Sequence, residues 1–287
     1  MMQFVKDWDK GRGGKYELYC ANTLEITLKF INGEHEEMNT RKIDTEFIRK
    51  SFSTEKTASD YAKAVSEIGL WESEKIMIKK YFNPESRILD IGCGAGRTTI
   101  GLYELGYHLV EGLDLAEAMI VQARKISKEL NYDIIFSLGD AACLDYNDET
   151  FEAALFSFNG IMQIPGRENR IKVLKEIKRI LKPKGYFLFT THERVSNKEY
   201  ESFWKEEKRR WALHFQDKSL HEFGDRVIKM EERDTFLHFP TRDEVILSLE
   251  EAGFILIEGI LRSELCEESE EVKKFSTNCV LWLIQKP

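Results

Sequence analysis

The chain has 287 residues, 42% of them hydrophobic and 18 of them phenylalanine, enough apolar material for one sizeable core with additions around it. A formal net charge of −8 argues against a nucleic-acid backbone as the main partner, because such binding rests on neutralising phosphates with Lys and Arg. Five cysteines without a C-x-x-C pair argue against a disulfide framework or a structural metal site; no stretch has the apolar length of a membrane span, and the N-terminus lacks the core of a signal peptide, so a cytoplasmic protein without membrane partners is expected.

Residues 7–15 are charged and glycine-rich and read as a loop or arm. Leu24 to Phe30 alternates apolar with polar, the pattern of a half-buried strand, and Asn32-Gly33 behind it is a turn signal. Thr57 to Asp60 opens a helical pattern that runs through Phe82, with Trp71, Ile76, Ile78 and Tyr81 at its apolar positions. Residues 1–75 are expected to form an N-terminal arm and extension ahead of the domain that follows.

That domain, residues 76–194 with 241–287, is organised around Arg87 to Thr99. Ile88 to Ile91 is a short apolar run broken only by Asp90, which reads as a buried parallel strand. Gly92, Gly94 and Gly96 then allow a tight turn that a ligand can approach without meeting a Cβ. A helix opens at Arg97, so the N–H groups of the turn and of the first helical turn face negative or electron-rich groups. The glycine spacing is one residue shorter than the G-x-G-x-x-G of dinucleotide sites, and no Lys-Ser or Lys-Thr follows as in a phosphate-binding loop. Asp90, just before the turn, repels a pyrophosphate and suits a ligand that carries an ammonium group.

Strand and helix patterns then alternate. A helix runs to about Leu105, followed by a strand from His108 to Leu113, a helix from Ala116 to Glu129 and a strand from Ile134 to Leu138. The next strand is Ala153 to Phe158; a helix from Arg170 to Leu181 ends at a Pro183-Lys184-Gly185 turn before a strand from Tyr186 to Thr191. After an insert, Thr241 opens a helix that Gly253 stops, and strands from Phe254 to Ile260 and from Asn278 to Gln285 finish the chain, joined by an acidic, solvated stretch from Glu264 to Glu271. The alternation predicts an α/β, doubly wound, mostly parallel seven-stranded sheet with an N-terminal extension and a helical lid insert. Its ligand crevice lies at the carboxyl ends of the strands, where Asp90, Asp114 and Asp140 fall, and an acid placed as Asp114 is can accept both hydroxyls of a ribose.

Leu89 to Gly96, Gly112-Leu113-Asp114-Leu115 and Gly139-Asp140-Ala141 together resemble the three cofactor motifs of the class I, Rossmann-like S-adenosylmethionine-dependent methyltransferases, in the right order. The resemblance implies S-adenosylmethionine as methyl donor and S-adenosylhomocysteine as product. It places the backbone of Gly92, Gly94 and Gly96 against the amino-acid portion and sugar, with Cys93 a spacer in that loop rather than a nucleophile. Asp90 would orient the ammonium or else hold the loop, and Asp114 would take the ribose hydroxyls or else cap the next helix. Asp140 sits by the adenine amino group with the Ala141 N–H, Leu115 and Met119 flank the adenine, and the segment that holds Phe158 passes beneath the sulfonium.

Methyl transfer needs a general base only if the acceptor must lose a proton. His192, at the end of the fifth strand, is the first candidate and Asn159 a hydrogen-bonding partner for an acceptor; the alternative for His192 is to cap the strand or orient a loop. His238 is a second candidate, and Gln163 could hydrogen-bond an acceptor. Resembling enzymes use a leading helix and arm to cover the cofactor, which makes residues 1–75 a cap and Tyr61 and Trp71 cofactor or acceptor contacts unless they only pack on the core. The insert, residues 195–240, places Trp204 and Trp211 near one helix face, either as an aromatic lid over the acceptor or as packing between lid and core or a dimer contact. No Asn-Pro-Pro-Tyr or Asp-Pro-Pro-Tyr signature of base or glutamine methylation is present, and no set of acids for a catechol-type magnesium site is recognisable, so no metal is expected. The reading is a methyltransferase for a small molecule; the alternatives are transfer to RNA or protein, or a cofactor-binding protein without turnover. Oligomeric state leaves no signal in the sequence.

Overall fold

The computed structural model describes residues 41–195, 200–229 and 233–287. The expected strand at Leu24 to Phe30 and its turn lie outside the described residues.

Seven strands form the main sheet, in the order β3-β2-β1-β4-β5-β9-β8. They are β1 (Ile88–Ile91), β2 (Val110–Asp114), β3 (Ile135–Leu138), β4 (Phe151–Phe156), β5 (Leu181–Thr191), β8 (Ile255–Leu261) and β9 (Val280–Gln285). The first five run parallel, and β9 lies antiparallel between β5 and β8. The expected doubly wound, mostly parallel sheet is therefore present. Burial on both faces explains the apolar runs of the central strands. Leu89, Ile91, Ala154 and Phe156 pack on helices α6 (Arg167–Ile180) and α8 (Arg242–Ala252). Ile88, Ala153 and Leu155 face α3 (Glu72–Tyr81) and α4 (Arg97–Glu104) on the other side. The remaining crossover helix, α5 (Glu117–Glu129), packs beside β2 and β3.

Four expectations are corrected. The single helix from Thr57 to Phe82 is two, α2 (Glu55–Glu67) and α3, preceded by α1 (Thr45–Phe52). Gly69 adopts a left-handed φ of +59° and breaks the run, and Glu74 restarts it by accepting the Trp71 N–H at 2.9 Å. Second, β4 ends at Phe156, because Phe158 and Asn159 take φ values of +50° and +61° and turn the chain sharply. Third, the insert is only partly helical: α7 (Glu201–Ala212) is followed by a hairpin of β6 (Asp225–Lys229) and β7 (Asp234–His238), in which Val227 pairs with Phe236. Fourth, the acidic C-terminal stretch is not all solvated. It holds α9 (Arg262–Leu265) and α10 (Glu270–Phe275), and Glu268 is buried, accepting the N–H groups of Glu72 and Ser73 at the N-terminus of α3.

Candidate functional site

The turn after β1 is shaped by what lies beneath it. A Cβ on Gly92 would meet the Phe156 ring at 2.4 Å, and φ there is +63°, so glycine is required both for space and for conformation. The same ring lies under Gly160, which brings the glycine turn and the turn after β4 to either side of one phenyl group. Asp90 is fully buried at the end of β1. Its Oδ2 accepts the hydroxyls of Thr98 and of Thr99 (2.6 Å), both on α4, while Oδ1 has no partner among the described residues. Burial pushes this carboxyl up to about 6, against the two threonine hydrogen bonds and the Arg97 charge that pull it down. Asp90 thus holds loop to helix with one oxygen and presents the other. Cys93 is buried, and desolvation, with the charges of Asp114 and Asp90, pushes its thiol well above the usual range, as suits a spacer rather than a nucleophile.

At the end of β2, Asp114 accepts the Gly94 N–H through Oδ2 (2.8 Å) and the Ala116 N–H through Oδ1 (2.8 Å), which ties the glycine turn to the start of α5. Burial raises its carboxyl, opposed by those N–H groups. Both the capping role and a ligand role are open to it, because each carboxylate oxygen has a second lone pair. Asp140, past β3, is half-buried and accepts the Ala142 N–H at 2.8 Å, with Ala141 half-buried beside it. Met119 is buried with Ala58, Ala95 and Ala116, and Leu115 packs against Ile48, Leu220 and Phe236. The three acids therefore close three adjacent strands around one glycine turn.

The wall from α1 to α3 supplies groups that sequence reading missed. Arg97 and Glu74, both buried, form a bidentate pair at 2.8 Å. Arg97 also donates to Gly69 O (2.6 Å) and to Ser157 Oγ (3.1 Å), and Ser157 donates to Glu74. Opposite charge and hydrogen bonds hold Glu74 below the usual carboxylate range despite its burial. The only signal for it was the Trp71-x-x-Glu74 spacing. Trp71 has no exposed surface and stacks between the guanidinium groups of Arg97 and Arg262, at 4.9 and 4.8 Å, so it reaches the crevice only through its edge contact with Phe158. Tyr61, by contrast, lies against Gly94 and touches Phe52 and Phe158 edge-on. Arg233 of the insert stacks over both Phe52 and Tyr61.

On the other side of the crevice, Asn159 and His192 meet: Asn159 Nδ2 lies 3.1 Å from His192 Nε2, and His192 Nδ1 lies 3.3 Å from the Asn278 carbonyl. Burial, with the Arg262 charge, lowers the His192 pKa and keeps the ring neutral; only the Asn278 contact opposes this. Gln163 is half-buried on the short 3-10 helix that follows. His238 is elsewhere: its Nδ1 pairs with Asp225 Oδ1 at 2.8 Å, and the ring lines a small cavity of about 40 Å³ beside Ile161, Arg170 and Glu222. Glu222, Asp225 and His238 bring ligand atoms within 4.8 Å of one another. However, Arg170 pairs with Glu222 (2.7 Å), and Arg194 Nη1 sits beside Gly224, close to the His238 ring; these cations disfavour a metal and make the cluster a fastening for the hairpin. Trp204 and Trp211 both pack edge-on to Phe223 within the insert.

Comparison with known proteins agrees with this geometry. A family model described as a methyltransferase domain matches residues 88–185. The ubiquinone/menaquinone biosynthesis C-methyltransferase of Rickettsia massiliae is 27% identical over 197 residues, 64% of this chain and 74% of that one. The YqeM protein of Bacillus subtilis is 33% identical over 109 residues, 38% of this chain and 43% of that one. Among solved structures, a SAM-dependent methyltransferase of Methanosarcina mazei superposes with a TM-score of 0.60 at 20% identity, covering 76% of this chain and 99% of its own. The cyclase SpnF superposes with 0.61 at 15% identity, covering 86% and 98%, a likeness of fold alone.

Proposed function

We propose, on the premise that this chain belongs to the class I, Rossmann-like S-adenosylmethionine-dependent methyltransferases, that it methylates a small-molecule acceptor held where Phe158, Tyr61 and the Asn159–His192 pair meet. The observation that carries the cofactor site is the set of three acids closing β1, β2 and β3 around the glycine turn, one of them with a buried, unpartnered oxygen. A buried carboxylate oxygen without a partner is costly, and an ammonium would satisfy it, so the residues fit the cofactor. When bound, S-adenosylmethionine supplies a methyl group activated on a sulfonium.

Each residue then has a task. Asp90 Oδ1 takes the ammonium, and the backbone of Gly92, Cys93, Gly94 and Gly96 lies along the amino acid and sugar. Asp114 accepts the ribose hydroxyls with the lone pairs left by Gly94 and Ala116. Leu115, Met119, Asp140 and Ala141 enclose the adenine. Phe158, Tyr61 and Gln163 border the acceptor, with Trp71 behind Phe158. Residues up to 75 act as cap and residues 195–240 as lid, with Trp204, Trp211 and His238 shaping the lid from inside. What the protein supplies is alignment and exclusion of water, and well-oriented reactants gain about 7–11 kcal/mol from positioning alone.

A small acceptor is favoured over RNA or protein by the quinone-biosynthesis relatives and by the acidic net charge of −8. No helix among the described residues is long and apolar enough to cross a membrane. Buried, unpaired Cys93 and Cys279 support a reducing, cytoplasmic setting. The test is calorimetry with S-adenosylmethionine and S-adenosylhomocysteine, followed by a methyl-transfer screen over small phenols, hydroquinones and amines, with RNA and peptide controls. Binding with transfer to a small molecule is the expected result. Absence of binding would overturn the cofactor assignment, and transfer only to RNA or peptide would overturn the acceptor.

A further inference from the structure

We infer that Asn159 presents its side-chain carbonyl to an O–H or N–H donor on a bound ligand, and that His192 fixes this orientation as a positioning residue rather than taking a proton. The inference rests on the methyltransferase reading for the identity of the ligand, but its geometry does not.

The argument follows the protons. The Asn278 carbonyl can only accept, so the His192 nitrogen facing it at 3.3 Å must carry the hydrogen; Thr277 Oγ1, 3.5 Å from the same nitrogen, can also accept it. A neutral imidazole protonated at Nδ1 has a lone pair at Nε2. The group 3.1 Å from that lone pair is the Asn159 amide, which must present its NH₂ side, since its oxygen there would set two lone pairs face to face. The amide oxygen is thereby committed to the opposite direction. Stacking of the His192 ring on Phe239, 5.6 Å between centroids and 17° between planes, resists rotation of the imidazole.

The backbone of Asn159 is equally fixed. Its N–H donates to Thr190 Oγ1 at 2.8 Å, and the residue sits in the left-handed region at the sharp turn after β4. Only 3% of Asn159 is exposed, and its Oδ1 has no hydrogen-bond partner among the described residues. Buried amide oxygens are ordinarily satisfied, so one held in this way at a crevice is matched to a group that arrives. The position is right for that: the Asn159 turn and the glycine turn share the Phe156 ring, and neighbouring Phe158 touches Tyr61, which lies against Gly94. Two sources can bring the donor, a hydroxyl or amine of the methyl acceptor or the ammonium of the cofactor. A site built around such a hydrogen bond rejects analogues that lack the donor by far more than an apolar pocket rejects a methylene.

The test has three arms on the full-length protein. Nitrogen-15 NMR of the histidine side chains at pH 7.5, with His192→Gln to assign the signal, should show His192 protonated at Nδ1 and unprotonated at Nε2. In Asn159→Asp the new carboxylate should pull a second proton onto that ring and raise its titration midpoint. A wild-type ring protonated at Nε2 would overturn the inference. In the second arm, calorimetry compares S-adenosylhomocysteine binding in wild type and Asn159→Leu, with Asn159→Asp as the variant that keeps an acceptor oxygen should the leucine form not fold. A loss of tenfold or more assigns the donor to the cofactor. In the third, methyl transfer from S-adenosylmethionine is measured with paired phenols and their O-methyl ethers. A tenfold fall in kcat/KM for the phenols in Asn159→Leu, with S-adenosylhomocysteine affinity within twofold, assigns the donor to the acceptor. If neither quantity moves, the inference fails; if wild type methylates none of the phenols, it stands or falls on the first two arms. Failure of wild type to bind S-adenosylhomocysteine would instead strike the proposed function and leave the tautomer result to be read separately.

Discussion

The helices α1–α3, of which α3 packs on a face of the sheet and α2 brings Tyr61 against Gly94, and the insert α7–β6–β7, whose neighbouring Arg233 stacks over Tyr61, are fastened by different physics. The first is joined to the sheet by Arg97 and Glu74, whose side chains are 9% and 2% exposed and hydrogen-bonded to each other, to Ser157 and to the Gly69 carbonyl. The second is held by Arg170 to Glu222, whose carboxylate is 29% exposed, and by Arg194, just outside the insert, which donates to the Phe223 and Phe239 carbonyls and pairs with Glu244, 42% exposed. A buried, fully satisfied pair is all or nothing, because removal of either partner strands a charge away from water. A pair with one wet partner is weak and replaceable. The contrast extends the proposal above: the helical wall would be part of the scaffold that shapes the glycine turn, and the insert a separable cover that can vary with the acceptor.

The sharpest way to break this comparison is Glu74→Leu. It leaves Arg97 buried without its partner and should cost about 3–5 kcal/mol of stability, read as a lower urea midpoint. A loss below 1 kcal/mol would place the helical wall in the same class as the insert.

Next comes Asp90→Asn, which should change stability and binding in opposite directions. The buried Asp90 carboxyl is raised to about 6 from an unfolded value near 3.8, so between those values the folded protein binds the proton more tightly. Stability without cofactor therefore falls as pH rises through this window, and above it the ionised carboxylate carries a penalty of about 3 kcal/mol. The asparagine variant should melt several degrees higher than wild type at pH 7.5, with the difference vanishing toward pH 4, while its affinity for S-adenosylmethionine falls at least tenfold. A variant that is less stable at pH 7.5 would show that Asp90 serves only to hold the loop.

The strand ends beneath both covers are legible in the sequence, the helical wall only in part, and the insert little. Asp90, Gly92, Asp114 and Asp140 can be placed because each closes a strand, and a strand's end is marked by a change of periodicity and by glycine. Glu74 and Arg97 are invisible as partners, since a buried charge looks like a surface charge until the helices are packed. Trp204 and Trp211 look like a lid stripe at helical spacing, but their common contact, Phe223, is separated from them by a loop and precedes a hairpin. The break at Gly69 is missed because a lone glycine in a helical pattern is ordinarily tolerated. Asn159 and His192 are both identifiable as strand-end polar residues, but their pairing depends on Asn278 arriving from the antiparallel β9 side.

Asp114→Ala probes the glycine turn itself. It removes the acceptor for the Gly94 and Ala116 N–H groups as well as the group proposed for the ribose, so calorimetry should show S-adenosylmethionine affinity down about thirtyfold, close to 2 kcal/mol. Asp114→Asn keeps an oxygen for one of the two N–H groups and should recover part of the loss. Equal binding in wild type and Asp114→Ala would remove Asp114 from the cofactor site and leave it as a helix cap.

The smallest expected effect is the most informative about the insert. Glu244→Gln weakens the pair with Arg194 at 2.7 Å but leaves Arg194 its hydrogen bonds to the Phe223 and Phe239 carbonyls, so the guanidinium is not stranded. The carboxylate is wet, and its loss should lower global stability by less than about 1 kcal/mol. The insert is also held elsewhere: the Arg233 guanidinium stacks on Phe52 and Tyr61, and Phe236 packs against Ile43 and Ile48. If the insert is a separable cover, partial release at Arg194 should speed hydrogen exchange in β6 and β7 without speeding it in α3 or α4. Affinity for S-adenosylhomocysteine should stay within twofold of wild type, and any change in turnover should appear in the KM of the acceptor. Faster exchange that spreads into α3, together with loss of cofactor affinity, would mean that the two covers move as one body, and the distinction between scaffold and lid would have to be abandoned.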